Sequence, residues 1–179
     1  MKGVVKFATG YGNLEIRDIP EPELLPGYVM IEVAAAGICG TDIHIYLDEY
    51  PYIPPVVLGH EVSGRIVEKK GAEGLNVGDE VTAVPTTEVC GTCRFCREGH
   101  LSLCDKRRSI GSGVHGSFTK YVAVPAWAVR KIPPNIDLQA GALSEPLCCC
   151  VKAVSMRTGI VAGDIAVVTG PGPIGLMTA

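Results

Sequence analysis

The sequence predicts a mainly β fold of short strands and tight turns, with a change to helix and buried strand near its end. Three observations support this prediction. Val and Ile recur in short alternating runs, which is the period-2 pattern of half-buried strands. Gly (22 residues) and Pro (13 residues) are frequent, whereas aromatic residues make up only 6% of the chain. Such a composition is typical of strands bounded by turn residues rather than of a helical bundle.

The elements follow from these patterns in chain order. Predicted strands cover 1–8, 14–19, 28–36, 62–67, 76–84, 118–124 and 127–132, the first two joined by a Gly-rich turn. Thr41 or Asp42 is expected to cap a short helix that runs to Leu47. Residues 85–113 show almost no periodicity, so this segment needs something other than an apolar core to order it.

From Asn135 onward the hydrophobic period becomes helical. One or two helical turns are predicted at 136–143. A longer helix begins at Ser144-Glu145-Pro146 and ends near Gly159, with proline tolerated in its first turn. Residues 165–169 form an apolar run of the buried-strand type, followed directly by three spaced glycines.

Composition limits the classes of function. The chain has 179 residues, 47% of them hydrophobic, which is ample for a packed globular core. A net charge of -3 without a basic stripe argues against a nucleic-acid surface. The N-terminus lacks the apolar run of a signal peptide, and no window resembles a membrane span. We therefore expect a cytoplasmic protein whose partners are neither nucleic acid nor membrane.

The cysteines fall into groups that indicate metal binding rather than disulfides. Of the eight, Cys90, Cys93, Cys96 and Cys104 lie within one irregular segment with C-x2-C-x2-C-x7-C spacing. Four thiolates so placed predict a closed tetrahedral zinc site, and an iron-sulfur cluster is the alternative. Structural zinc is worth roughly 10 to 16 kcal/mol of apparent binding energy, so the segment is expected to unravel without it.

A second metal site is predicted where Cys39 meets His60 and Glu61. Zinc accepts sulfur, nitrogen and oxygen ligands, and a catalytic site keeps one position open for water or substrate. Taken alone, Cys39 is more often a small buried hydrophobe than a ligand. Only its setting before Thr41-Asp42, together with His60-Glu61, favours the metal interpretation.

Three adjacent cysteines at 148–150 point about 100 degrees apart on a helix and cannot converge on one ion. Cys150 is therefore predicted to pack in the core, and Cys148 and Cys149 to line a pocket. His100 and His115 are expected to be surface residues without a functional role.

Gly170-x-Gly172-x-x-Gly175 follows the apolar run and opens toward Leu176-Met177. In that context the glycines predict a dinucleotide-binding turn, where the backbone approaches a pyrophosphate at a helix N-terminus. The pattern also requires an acidic residue about 20 positions further on, which would lie beyond residue 179.

The order of these motifs resembles the zinc-dependent medium-chain alcohol dehydrogenase family. The resemblance rests on Gly37-Ile38-Cys39-Gly40-Thr41-Asp42-Ile43-His44, Gly59-His60-Glu61-Val62-Ser63-Gly64, Val77-Gly78-Asp79-Glu80-Val81 and the four-cysteine segment. Ser144-Glu145-Pro146-Leu147 is similar to the polyol (sorbitol or iditol) and threonine dehydrogenase branch. The resemblance implies a GroES-like catalytic domain at 1–144, a partly open β-barrel with a zinc lobe. It also implies the first helix and strand of a Rossmann cofactor domain at 145–179, and hence a fragment.

The resemblance further implies roles for individual residues. Cys39 and His60 bind the catalytic zinc, with Glu61 or Glu145 as the further ligand, and Asp42 orients the histidine. Thr41 and His44 pass the substrate's proton to solvent, and Cys149 lies near the nicotinamide. Four of these residues have a simpler alternative. Thr41 or Asp42 can merely cap a helix, Glu145 can be a first-turn carboxylate that the helix dipole favours, and His44 can be an exposed helix residue.

The reaction so implied is hydride transfer from a secondary alcohol, such as a polyol, to NAD or NADP. Zinc lowers the pKa of the bound alcohol, as it lowers that of water to about 7. The longer parent protein, of which this chain would be a fragment, is expected to form a homo-oligomer, either a dimer or a tetramer. It is expected to bind one catalytic and one structural zinc ion. The alternatives are a non-catalytic zinc-binding β module and a threonine dehydrogenase-type activity in the parent.

Overall fold

The structure is a computed structural model that describes residues 1–179. The strands are β1 (Lys2–Lys6), β2 (Leu14–Asp18), β3 (Tyr28–Gly37), β4 (Val56–Val57), β5 (Glu61–Lys70), β6 (Glu80–Ala83), β7 (Thr86–Glu88), β8 (Arg108–Ser109), β9 (Tyr121–Pro125) and β10 (Val129–Lys131). The helices are α1 (Gly40–Tyr46), α2 (Arg94–Arg97), α3 (Leu138–Ala142), α4 (Ser144–Arg157) and α5 (Pro173–Thr178). The predicted mainly β fold is confirmed. No helix combines the length and apolar character needed to cross a membrane.

A five-stranded antiparallel sheet in the order β10-β6-β5-β3-β9 forms the centre of the fold. Its two longest strands, β3 and β5, pair along their whole length, and the register ends with Gly37 opposite Glu61. This pairing matters for the site, because the residues just after β3 and those at the start of β5 lie side by side.

A smaller sheet in the order β2-β1-β4 packs across one end of the central sheet. The backbone connects the two where Val4 N–H donates to Phe118 O at 3.0 Å and Gly3 bridges Thr119. The two sheets together form a partly open barrel, as expected.

The hydrophobic core lies on one face of the central sheet. Alternate residues of neighbouring strands point inward, as the period of 2 requires. Val29 and Ile31 on β3 and Val62 and Ile66 on β5 are at most 1% exposed. They belong to one cluster of 12 buried residues that also includes Val81, Val122 and Val124.

Helix α1 begins differently from the prediction. Its N-cap is Cys39, not Thr41 or Asp42. Asp42 acts from inside the first turn, where its Oδ2 accepts the Cys39 backbone N–H at 2.9 Å. A carboxylate at this third helical position satisfies an N–H group that the helix itself leaves free.

The last segment contains the predicted helix but not the predicted strand. Helix α4 starts at Ser144 as expected, but only Pro146 and Cys150 are buried on it, because nothing in the chain covers its remaining apolar side chains. Residues 165–169 form no strand, and Ile165 is 96% exposed. A parallel strand needs a neighbour for its backbone hydrogen bonds, and no strand of this chain lies beside it.

Candidate metal centres

One candidate metal centre is formed where β3 ends and β5 begins. Sγ of Cys39, a ring nitrogen of His60 and a carboxylate oxygen of Glu61 all lie within 4.8 Å of one another. His60 and Glu61 are buried, at 9% and 7% exposure. A buried carboxylate beside a thiol is costly unless something compensates its charge, and a divalent cation would do so. The donor set of sulfur, nitrogen and oxygen fits zinc.

Gly37 makes room for the Glu61 carboxylate. A Cβ atom at Gly37 would lie 2.0 Å from Oε2 of Glu61, far inside van der Waals contact. Because the register pairs these two residues, the carboxylate lies directly over the glycine. The absent side chain at position 37 is therefore what lets Glu61 turn toward Cys39 and His60.

Asp42 connects the two backbone segments that carry this centre. It is 4% exposed, and its Oδ1 accepts the Gly59 N–H at 3.1 Å while Oδ2 accepts the Cys39 N–H at 2.9 Å. Oδ1 also lies 3.8 Å from Nδ1 of His60, which is beyond a direct hydrogen bond. The carboxylate holds the loop before His60 against the start of α1.

Glu145 lies next to the centre but outside the group of three. Burial raises the pKa of its carboxyl, while the nearby His60 lowers it and the nearby Glu61 raises it. Sγ of Cys149 lies 4.0 Å from Oε1 of Glu145. The first two turns of α4 therefore place Glu145 and Cys149 at the edge of the same site, with Glu61 as the carboxylate already among the donors.

Thr41 and His44 both lie on α1, three residues apart and so on one face of the helix. The Thr41 hydroxyl lies 3.7 Å from Sγ of Cys39. His44 is 58% exposed, and its Nδ1 lies 2.9 Å from Oε2 of Glu49. One residue of the pair thus adjoins the candidate metal ligands, and the other faces solvent.

The four-cysteine segment forms the second candidate centre. The sulfurs of Cys90, Cys93, Cys96 and Cys104 lie within 4.8 Å of one another. Sγ of Cys90 is 3.9 Å from that of Cys96 and 3.7 Å from that of Cys104. Four thiolates at about 2.3 Å from one ion would be about 3.8 Å apart. The spacing fits a single tetrahedral ion better than a [4Fe–4S] cluster, in which each thiolate binds a different iron.

Backbone N–H groups of the segment point at these sulfurs. Cys93 N–H donates to Sγ of Cys90 at 3.3 Å, and Cys96 N–H donates to Sγ of Cys93 at 3.4 Å. Hydrogen bonds from the Thr92 and Cys93 backbone lower the pKa of Cys90 to about 6. Burial and the neighbouring thiols raise the pKa of Cys96 to about 12. A bound cation would favour the thiolate at all four positions.

The three glycines after residue 169 have distinct surroundings. Gly170 has a φ of +95°, and Gly172 has no atom within 4 Å of an added Cβ. A Cβ at Gly175 would lie 1.8 Å from Gly170 O. Helix α5 starts at Pro173, directly after Gly172, and contains Gly175. A tight turn, an open approach and a close helix contact are the three roles that glycines play in a dinucleotide-binding turn.

The remaining predicted residues lie apart from the two centres or at their edge. Cys150 is 3% exposed, which confirms its core packing, whereas Cys148 and Cys149 are exposed. His100 and His115 are exposed, but Nδ1 of His115 accepts the Val57 N–H at 3.1 Å. Gly37 and Glu49 contribute to the site although no role was predicted for either from the sequence. A separation of five residues from His44 to Glu49 is not a helical contact pair, so nothing in the pattern indicated it.

Comparison with known proteins was made against relatives and solved structures. Sorbitol dehydrogenase of Halalkalibacterium halodurans is 44% identical over all of this chain and 52% of its own length. L-threonine 3-dehydrogenase of Pyrococcus horikoshii is 40% identical over 99% of the chain and 51% of its own length. A protein of Sinorhizobium meliloti described as a zinc-binding dehydrogenase, solved with NADP bound, superposes with a TM-score of 0.91 at 39% identity, covering 99% of this chain and 51% of that one.

The chain thus spans about half the length of the curated relatives it matches. Residues 25–134 match the profile of the alcohol dehydrogenase GroES-like domain. This region holds β3, β5, the three donors of the first centre and all four cysteines of the second. The chain belongs to the alcohol dehydrogenase GroES-like domain family.

Proposed function

We propose that this chain is the zinc-carrying part of an NAD(P)-dependent dehydrogenase that acts on a secondary alcohol of the polyol class. Residues 1–144 form its catalytic domain, and residues 145–179 begin its cofactor domain. The single observation that carries the proposal is the convergence of Cys39, His60 and Glu61 within 4.8 Å at the junction of β3 and β5. Family membership supports it, as do relatives named as sorbitol and L-threonine dehydrogenases.

In this proposal Cys39, His60 and Glu61 hold the catalytic zinc, and Cys90, Cys93, Cys96 and Cys104 hold the structural one. When bound in an open site, zinc acts as a Lewis acid that makes an alcohol easier to deprotonate. Glu145, beside the three donors, is available to exchange with Glu61. Asp42 keeps the two ligand-bearing segments in register through its bonds to the Cys39 and Gly59 backbone.

The protein's own side chains then handle the proton. Thr41 adjoins the metal ligands and passes the alcohol proton along the face of α1 to His44, which is exposed and releases it to solvent. An imidazole suits this task because its ordinary pKa of about 6.5 lets it accept and donate near neutral pH. Cys149 lies at the edge of the site on α4, where the nicotinamide is expected to bind.

The cofactor side of the proposal rests on the turn at Gly170, Gly172 and Gly175 and on helix α5, whose geometry supports pyrophosphate binding. NAD and NADP remain equal candidates, because the acidic residue expected about 20 positions after the glycines distinguishes them. We also expect the whole protein to be a dimer or tetramer.

The experiment is to measure nicotinamide reduction by the longer protein of which this chain is part. Sorbitol, 2,3-butanediol and L-threonine are offered with NAD and with NADP. Alcohol-dependent reduction that disappears in a Cys39→Ser variant is expected. Absence of turnover with every substrate and both cofactors, from protein that retains its zinc, would contradict the proposal.

Two alternatives are decided by the same assay. Turnover confined to L-threonine would favour a threonine dehydrogenase, in line with the relative from Pyrococcus horikoshii. The 179-residue chain on its own is expected to be a zinc-binding β module without catalysis, because residues 165–169 have no partner strand in it. Zinc binding without nicotinamide reduction by this chain would match that expectation.

A further inference from the structure

Helix α1 ends in a Schellman motif that returns the chain over its last turn. The Asp48 N–H donates to Ile45 O at 3.2 Å, and the Glu49 N–H donates to His44 O at 2.8 Å. Asp48 adopts a left-handed conformation with a φ of +66°. These bonds define the motif, in which the second residue past the C-cap Leu47 lies beside the third residue from the end of the helix. Here those two residues are Glu49 and His44.

The motif brings the two side chains together. Oε2 of Glu49 lies 2.9 Å from Nδ1 of His44. A hydrophobic contact frequently occupies this place in a Schellman motif, whereas here a carboxylate lies opposite an imidazole. Both side chains are 58% exposed, and an isolated surface ion pair is worth little. The contact persists because the backbone has already brought the two residues together.

A buried lysine holds this turn in place. Lys6 is 0% exposed, and its Nζ donates to Gly10 O at 2.5 Å, Gly12 O at 2.7 Å and Tyr46 O at 3.4 Å. The Tyr52 hydroxyl donates to Oδ1 of Asp48 at 2.5 Å. Asp48 is therefore engaged by Tyr52, and Glu49 is the carboxylate that is hydrogen-bonded to His44.

A carboxylate can only accept hydrogen bonds, so its imidazole partner must donate. A neutral imidazole carries one N–H, and the nitrogen that is hydrogen-bonded to the carboxylate is the one that bears it. We propose that Glu49 is a positioning residue that fixes His44 as the Nδ1–H tautomer. Nε2 of His44 is then left as the free acceptor of the ring.

This inference rests on the proposed function for its catalytic consequence. In the relay the Thr41 hydroxyl gives its proton to Nε2 of His44 as it takes one from the alcohol. The resulting imidazolium keeps its Nδ1–H on Glu49 and loses the other proton to solvent. Without Glu49 the ring can place its proton on Nε2, and this tautomer cannot accept there.

The tautomer itself can be measured in the 179-residue chain, loaded with zinc. Long-range proton–nitrogen NMR correlations identify which ring nitrogen carries the proton, at a pH of about 8, where free imidazole is neutral. Wild type is expected to show mainly Nδ1–H for His44. Glu49→Ala should shift the population toward Nε2–H, and Glu49→Gln, whose amide can either accept from Nδ1 or donate to it, should give a mixture of the two tautomers. Glu73→Ala removes an exposed acid elsewhere and should change nothing.

Two results would overturn the assignment. One is a wild-type His44 that is mainly Nε2–H, and the other is a tautomer that Glu49→Ala leaves unaltered.

In the longer protein, loss of such an orienting partner should lower kcat for alcohol oxidation by about 10-fold with KM unchanged. Glu49→Gln, which supports both tautomers, should restore only part of the rate. An unchanged kcat in Glu49→Ala would refute the catalytic consequence. If wild type shows no turnover, the proposed function fails, and the NMR experiment still decides whether Glu49 fixes His44.

Discussion

Gly37 decides where the Glu61 carboxylate can lie. The two residues are far apart in sequence, but the register of β3 and β5 places them opposite each other. The site therefore depends on the absence of a Cβ atom at position 37 as well as on its donor side chains.

Gly37→Ala tests this dependence. The new Cβ would lie 2.0 Å from Oε2 of Glu61, so the carboxylate has to leave its present position beside the other two donors. We expect zinc affinity at this centre to fall by about 10- to 100-fold, the range for disturbed support of a metal ligand, while the four-thiolate ion stays bound. Competition with a chelator measures the affinity. Gly40→Ala is the control, since nothing lies within 4 Å of its added Cβ, and equal affinities for the two variants would contradict the account.

His115 gives a prediction about pH. Partial burial lowers its pKa from 6.5, and its Nδ1 accepts the Val57 N–H only while neutral. Below pH 6.5 the unfolded chain therefore binds more protons at this residue than the folded chain does, so stability falls as pH falls through that range. His115→Asn does not titrate there. Thermal melts should show wild type losing more stability than the variant between about pH 7 and pH 5, and parallel losses would exclude the effect.

Residue types and spacing made most of the site predictable. The four cysteines, Cys39 and His60-Glu61 were identified because thiolate, imidazole and carboxylate groups have few other reasons to occur in such patterns. The choice between Glu61 and Glu145 was not predictable, since it depends on the distance between β5 and α4. The contact between Glu49 and His44 was not predicted because the C-terminal cap of α1, and not the three- or four-residue spacing within a helix, brings the two residues together.

Among the elements, the segment from β7 to β8 depends most on metal. Its strands are two and three residues long, and Cys104 is the only one of its four cysteines that is buried. Cys93→Ser should release its ion and make residues 85–113 sensitive to protease, because no apolar core replaces the metal. Limited proteolysis with mass spectrometry locates the cuts. A protease-resistant segment in zinc-free Cys93→Ser protein would contradict this prediction.

Seven of the ten strands were predictable to within a few residues because their side chains alternate, whereas β4, β7, β8 and the short helix α2 were not predicted. The strand at 165–169 was predicted and is absent. Its apolar pattern is typical of a strand that is buried on both faces. In this chain no other element covers residues 165–169. Local sequence cannot show whether a partner strand is present.

At the scale of the whole molecule, two candidate metal centres of different character share one β scaffold. The first takes its donors from the ends of paired strands, with a buried carboxylate holding the backbone in place. The second draws its four thiolates from one short segment, which a bound ion would order. Removing the first ion should leave the fold largely intact, because an open site contributes less to folding than a closed one.

The most direct test of the account is the zinc content of the purified 179-residue chain and two variants. The two donor groups predict two zinc ions per wild-type chain. Cys39→Ser should retain one ion with circular dichroism unchanged, and Cys93→Ser should lose the other ion. A single metal per wild-type chain, a visible absorbance typical of iron, or a Cys39→Ser variant that keeps both ions would contradict the account.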